Sequence, residues 1–273
     1  MPSLSGKRVA LLEARMSAEL TTMVERFGGI AYSVPAVRET PVDQPEETTA
    51  FVDALCAGRF ALVIFMTGVG ASALLREAEK RAQLDAALAA LRSATTVCRG
   101  PKPVAVLRRQ DVQVNITAAE PHTTVEVLQA LESVELKGKA IALVHYGERN
   151  DAIADGLHAR GAALSEICLY EWRLPDDVAP LTRLVGEIID GKIDAIAITS
   201  QIQIRHLFQI AERLGQSTAL ADALNRKIVV AAVGPVCATA LRSFGVIPHV
   251  QPSHPKMGPM LVALADYFDL TAR

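Results

Sequence analysis

Two short stretches of the chain share an arrangement suited to holding anions. "CRGPKP" (98–103) and "AVGPVC" (232–237) each end an apolar run of strand type on Gly-Pro and open a helix-like segment. Proline suits the first helical position, where its missing N–H leaves no bond unmade. Glycine lets the backbone turn sharply and lets a ligand approach it. The N–H groups that remain at such a helix start attract anions. Further small, polar or basic residues close other strand-like runs: Arg15, "TGVG" (67–70), "YGER" (146–149) and "TSQ" (199–201). Singly these are weak signals. "TGVG" is as readily a tight turn as a phosphate cradle, and the chain holds neither GxGxxG after a strand nor GxxxxGK[ST].

Positive charge follows the two Gly-Pro turns. No acidic residue lies between Asp85 and Asp111, a stretch that holds Arg92, Arg99, Lys102, Arg108 and Arg109. None lies between Asp222 and Asp266, where Arg226, Lys227, Arg242 and Lys256 stand. Each side chain alone is accounted for equally by ordinary solvated helix charge. As a pair, in a chain of formal net charge −2, the two stretches favour an anionic ligand held between two domains, drawn by a field that fades with salt.

The elements that must position these groups come from a repeat. Gly6 and Gly138, Lys7 and Lys139, Gly29 and Gly161, and Ser33 and Ser165 stand 132 residues apart. "GRFALVIFMT" (58–67) matches "GKIDAIAITS" (191–200) at 133, and Gly100-Pro101 with Leu107 matches Gly234-Pro235 with Leu241 at 134. Three blocks in order indicate a duplicated unit of half the chain, far longer than the roughly 20–50-residue period of a solenoid. Short apolar runs ("RVALLEA", "ALVIFMT", "TVCRG", "AIALVHY", "DAIAITS", "IVVAAVG") alternate with amphipathic stretches at 17–27, 150–160 and 202–214. Such runs suit parallel strands covered on both faces, and the alternation predicts an α/β fold of two similar doubly wound parallel-sheet domains. Ligands of these sheets lie beyond the carboxyl ends of the strands. Every stretch named above falls there.

At 273 residues, 50% hydrophobic and 21% charged, the chain can fill two cores. Its charge balance argues against a nucleic-acid binder or a protein of anionic membranes. No apolar run reaches the roughly 18 residues of a membrane span, and the first residues lack a signal-peptide core, so a cytoplasmic monomer is expected. Cys56, Cys98, Cys168 and Cys237 form no CxxC pair and read as reduced, packed thiols. The histidines, at 122, 145, 158, 206, 249 and 254, lack zinc spacing, and no metal is expected.

"KRVALLEAR", "VIFMTGVGASALL", "ICLYEWRLP", "AITSQIQIRHLF" and "VAAVGPVCATALRSFGVIP" follow one another along the chain. In that order and spacing the chain resembles the uroporphyrinogen-III synthase family over essentially its whole length. Periodicity alone would cut the chain near 135. The resemblance instead implies that domain one is discontinuous, 1–37 with 175–273, and that domain two is 42–171. The two would be joined by a two-stranded linker, 38–41 and 172–174, within the Pro- and acid-rich segments "AVRETPVDQP" and "WRLPDDV".

The resemblance further implies a reaction without cofactor: the linear tetrapyrrole hydroxymethylbilane closes to uroporphyrinogen III with loss of water and inversion of its last ring. Because this substrate also closes unaided to another isomer, orientation would matter more than acid–base force. Its acetate and propionate arms would be bound at Thr67-Gly68-Val69, Gly100 and Lys102, Ser200-Gln201 and Val236-Cys237, with Arg15 and Arg149 as charged partners. Tyr170 matches the family's tyrosine and would assist departure of the hydroxyl. The family's threonine after Gly-Pro-x is here Cys237, and Pro103 takes the comparable place in the other copy, so neither supplies a hydroxyl. A non-catalytic tetrapyrrole- or anion-binding regulatory protein of the same fold is the alternative that these departures suggest.

Overall fold

The structure, a computed structural model, describes residues 3–271. The chain opens with β1 (Arg8–Leu11), α1 (Ser17–Arg26), β2 (Ile30–Ser33) and β3 (Arg38–Pro41). It continues through α2 (Pro45–Cys56), β4 (Leu62–Phe65), α3 (Gly68–Lys80), α4 (Leu84–Ser93), β5 (Thr95–Cys98) and α5 (Pro101–Arg108). Next come β6 (Ile116–Thr117), α6 (Thr124–Ala130), β7 (Ala140–Val144), α7 (Asp151–His158), β8 (Ala163–Ile167) and β9 (Tyr170–Arg173). The last part is α8 (Ala179–Ile189), β10 (Ala195–Ile198), α9 (Gln201–Arg213), α10 (Ser217–Arg226), β11 (Val229–Ala232), α11 (Pro235–Ser243) and α12 (Met257–Thr271).

The chain divides into two compact units. Unit 1 takes the chain up to Arg38 and from Arg173 onward, and unit 2 is Glu39–Trp172. Unit 1 holds a sheet of order β11-β10-β1-β2, and unit 2 one of order β6-β5-β4-β7-β8. Every pairing within these two sheets is parallel. β3 and β9 form a separate two-stranded sheet on the segments where the chain passes between units.

The repeat maps one sheet onto the other. Under it β1, β2, β10 and β11 become β7, β8, β4 and β5, and the two sheet orders then coincide, with β6 added in unit 2. One match moves. Gly28, not Gly29, is the counterpart of Gly161: both have positive φ, and their carbonyls accept from the N–H of Gly6 and Gly138. The one-residue drift is already present at the ends of α1 and α7, where the carbonyls of Val24 and Glu25 accept as those of Leu157 and His158 do, so it arises between β1 or β7 and the end of the helix that follows.

Alternation along each strand builds a core on both faces of each sheet, as parallel strands require. In unit 1 Ala10 and Leu12 point into one cluster, with Ile196 and Leu207, while Val9 and Leu11 point into the other, with Leu20 and Leu264. In unit 2 Val63 and Phe65 go one way and Leu62, Ile64 and Met66 the other. β4, "LVIF", is fully buried at the middle of its sheet. Among the described residues no helix is long and apolar enough to cross a membrane.

Candidate functional site

In unit 2 neighbouring strands β5, β4 and β7 end together, which brings the residues after them to one edge. Thr67, after β4, caps α3: its hydroxyl oxygen accepts the Gly70 N–H at 3.0 Å. The same oxygen lies 3.0 Å from the Tyr170 hydroxyl, contributed by β9. Tyr170 is buried, and its ring meets Trp172 edge-on at 6.1 Å. Either hydroxyl can donate in this contact, and Thr67 accepts from Gly70 besides.

Gly68 has no room for a side chain. A Cβ there would stand 3.1 Å from the carbonyl carbon and oxygen of Lys102, so the first turns of α3 and α5 touch. Gly100 lies in extended backbone against the His122 ring, which a Cβ would approach to 3.2 Å. The sequence-predicted Thr67, Gly68, Val69, Gly100, Lys102 and Tyr170 thus share one unit and one sheet edge. Their amide donors are unequal, however. Gly70 spends its N–H on Thr67, leaving those of Gly68 and Val69 at the start of α3, while α5 begins Pro-Lys-Pro and offers only that of Lys102.

Arg149 is not a waiting charge. Its Nε and Nη2 donate to Glu166 at 3.1 and 2.9 Å, and its Nη1 to Asp151 at 2.8 Å. Arg149, expected as a ligand's charged partner, is thus also paired within unit 2. Behind it, buried His145 contacts the same carboxylate, Nε2 to Glu166 at 2.7 Å, while its Nδ1 accepts the Asn150 N–H at 3.3 Å. That pattern fits a neutral ring carrying its proton on Nε2. Burial pushes the His145 pKa down, against the pull of Glu166. Burial also works upward on Glu166, but the bonds from Arg149 and His145 outweigh it and the net shift is downward.

The consequence for stability has one sign. Above the ordinary histidine value of 6.5 both folded and unfolded rings are neutral. As pH falls below it, the unfolded chain takes a proton that the buried ring declines, and stability drops until the lowered folded pKa is reached. Glu166 adds a loss in the same direction as pH falls below 4.5 towards its own lowered pKa. We expect urea midpoints to fall between pH 7 and 5.5 more steeply for the parent than for His145→Gln. Equal slopes would contradict the neutral buried ring.

Unit 1 is wired differently at the corresponding edge. Ser200 and Gln203 form a capping box at α9, and Gln203 Oε1 accepts the N–H groups of Thr199 (2.9 Å) and Ser200 (3.3 Å). The expected amide of Ser200 is therefore already engaged, and those of Gln201 and Ile202 follow it in the first turn. Glu13, which sequence reasoning missed, accepts the Thr199 hydroxyl and Gln203 Nε2 on one oxygen and the backbone N–H groups of Arg15 and Met16 on the other. It thus fixes the loop that carries Arg15, whose side chain is exposed. The repeat pairs Glu13 with His145, so one copy sets a carboxylate where the other sets an imidazole.

At α11 no side chain caps the helix start, and the N–H groups of Val236 and Cys237 sit in its first turn. The Val236 side chain is exposed, whereas the Cys237 thiol is packed in the unit 1 core and burial pushes its pKa up to about 12. The side chain at 237 is turned into the core while its amide stays at the helix start. Pro103 is likewise buried. Among the described residues no group of three or more His, Cys, Asp or Glu is placed to hold a metal ion.

Arg99, directly after β5, reads in the sequence only as one of the basic residues around the first Gly-Pro turn and is not singled out there. Its guanidinium lies over the Tyr146 ring, 4.9 Å from the centroid, and the Tyr146 hydroxyl accepts from Asn150 Nδ2 at 2.7 Å. The available signal was the repeat itself: the residue before the other Gly-Pro is Val233.

Comparison with known proteins agrees with this arrangement. A crystal structure of a mutant uroporphyrinogen III synthase from Thermus thermophilus matches with a TM-score of 0.75 at 25% identity, covering 98% of this chain and 100% of the other. A Bacillus subtilis protein, YjjA, described as uncharacterized, is 31% identical over 266 residues, 97% of each chain. A Methanothermobacter thermautotrophicus protein provisionally named uroporphyrinogen-III synthase is 28% identical over 254 residues, 91% of this chain and 93% of its own. Residues 18–262 match the family model described as uroporphyrinogen-III synthase HemD. With the duplicated parallel sheets, the interrupted first unit and a match of that extent, the chain belongs to the uroporphyrinogen-III synthase family.

Proposed function

We propose that the chain closes hydroxymethylbilane to uroporphyrinogen III. The observation that carries this reading is the Tyr170–Thr67 hydroxyl pair, set at 3.0 Å among the amide-bearing helix starts of unit 2 in a chain of this family. The substrate is a polyacid, and amide groups at helix starts bind carboxylates without a metal or cofactor. Tyr170 donates its proton to the departing hydroxyl, which leaves as water, and Thr67 holds the phenol in place. The resonance-stabilised cation that remains is attacked by the substituted carbon of the last ring. The resulting spiro intermediate breaks its older bond to that ring and recloses at the ring's free carbon. That carbon then loses its proton, which restores the tyrosine, so one water is lost overall. Orientation of the chain selects this route over direct closure, and each tenfold of selectivity corresponds to about 1.4 kcal/mol of barrier.

The test is to incubate the purified protein with freshly generated hydroxymethylbilane, oxidise, and separate type I from type III uroporphyrin. Type III above the protein-free control is expected. Type I alone would remove the reaction from this chain.

A further inference from the structure

Arg99 carries a charge that the protein does not neutralise. Some arginines of unit 2 are bonded, Arg92 to the carbonyls of Gln110 and Asp111, Arg81 to Glu77, Arg149 to Glu166 and Asp151, and others, Arg59, Arg76, Arg108 and Arg109, are exposed to solvent, whereas Arg99 is partly buried. Arg99 has its backbone N–H on the Phe65 carbonyl and its guanidinium over Tyr146, yet among the described residues no carboxylate lies within ion-pair distance of it. Its position is partly buried, and burial presses its pKa down while Tyr146 and Tyr170 press it up, which places both phenols beside it. A half-buried cation without a counter-ion is destabilising, and an arriving anion reverses that.

The fold does not ask for this charge. At the equivalent place in unit 1 stands Val233, and the sheet and Gly-Pro turn form there in the same way. What differs is the helix that follows. α11 offers the N–H groups of Val236 and Cys237, whereas in α5 Pro103 has removed the second of these. Unit 2 lacks an amide donor and has a guanidinium one residue before the turn.

We propose that Arg99 is the carboxylate anchor of unit 2, its guanidinium taking one acidic arm of the ligand and setting it beside the Tyr170–Thr67 pair. The anchor rests on the reading of the ligand as a tetrapyrrole polyacid, and it adds which side chain grips it. The planar fork of an arginine pairs with a carboxylate through two N–H groups, and the Tyr146 ring fixes the plane of that fork. Arg99 acts on binding and register and takes no part in proton transfer.

Trp172, the only tryptophan of the chain, stands 5.6 Å from the Tyr146 ring and reports occupancy through its fluorescence. With uroporphyrin III as probe, Arg99→Met is expected to weaken binding about ten- to hundredfold, as for the loss of hydrogen bonds to a charged group. The KM for hydroxymethylbilane should rise with it, while kcat stays within about threefold. Arg99→Lys should recover part of the loss, keeping charge without the fork. The salt dependence of binding should flatten in Arg99→Met, and its urea midpoint should hold or rise, since an unpaired charge has gone. Arg99→Gln provides the same readouts where the methionine variant does not fold.

An Arg99→Met protein that binds uroporphyrin III as tightly as the parent, with the same salt dependence, would overturn the anchor; so would a loss confined to kcat. If the parent binds uroporphyrin III through Arg99 yet yields no type III isomer, the anchor stands and the proposed reaction falls. If the parent yields type III and Arg99→Met matches it in KM, the reaction stands and the anchor falls.

Discussion

Tyr170→Phe is expected to lower kcat about a hundredfold or more while leaving the KM for hydroxymethylbilane nearly unchanged. The hydroxyl is the only group removed. Loss of a positioned proton donor costs roughly 10²–10⁴ in rate. The ring itself keeps its packing against Trp172. Stability should fall by about 1 kcal/mol, the net worth of one hydrogen bond, since Thr67 retains the Gly70 N–H. Two measurements check this: kcat with the type III fraction, and a urea midpoint that shows the fold intact. Full turnover in Tyr170→Phe would take the tyrosine out of the chemistry and leave orientation alone to explain the isomer.

Gly147→Ala is expected to cost about 2–5 kcal/mol of stability, the sum of a backbone and a packing penalty. Gly147 has φ +53, a left-handed conformation that an alanine adopts only at about 1–2 kcal/mol. A Cβ there would also stand 2.3 Å from the Trp172 ring, so the indole must move, at roughly 1–3 kcal/mol for an overpacked site. The turn follows Tyr146, which carries the stacked guanidinium of Arg99, so displacement at 147 also disturbs that stack. A lowered thermal midpoint and a red-shifted Trp172 emission should appear together. An unchanged emission maximum would mean that the turn has slack that the packing denies.

The sequence announced the sheets because each strand is a short apolar run with cores on both sides, as "LVIF" of β4 illustrates. It announced the duplication because glycine turns such as Gly6 and Gly138 are constrained by positive φ in both copies. The chain path was another matter. β1 sits between β10 and β2, a pairing across more than 180 residues that no local pattern encodes, and only resemblance pointed to it. At the site, Thr67 and Gly68 were legible because capping and close helix approach need those residue types. Arg149 and Arg99 were not separable by type. One is claimed by Glu166, on a different strand, and the other is left uncompensated; that difference exists only once β7 and β8 lie side by side. At Cys237 type alone could not tell backbone from side chain: its amide sits in the first turn of α11 while its thiol packs in the core.

The interrupted path of unit 1 has a consequence for biosynthesis. When a ribosome has released the chain as far as Trp172, all of unit 2 is available, yet β1 and β2 still lack their neighbours β10 and β11. At roughly 5–20 residues per second, the opening βαβ segment waits several seconds with one long flank of β1 unpaired. A nascent chain halted there should resist protease over 39–172 and be cut near its start, and unit 1 should be the later and more aggregation-sensitive half to mature.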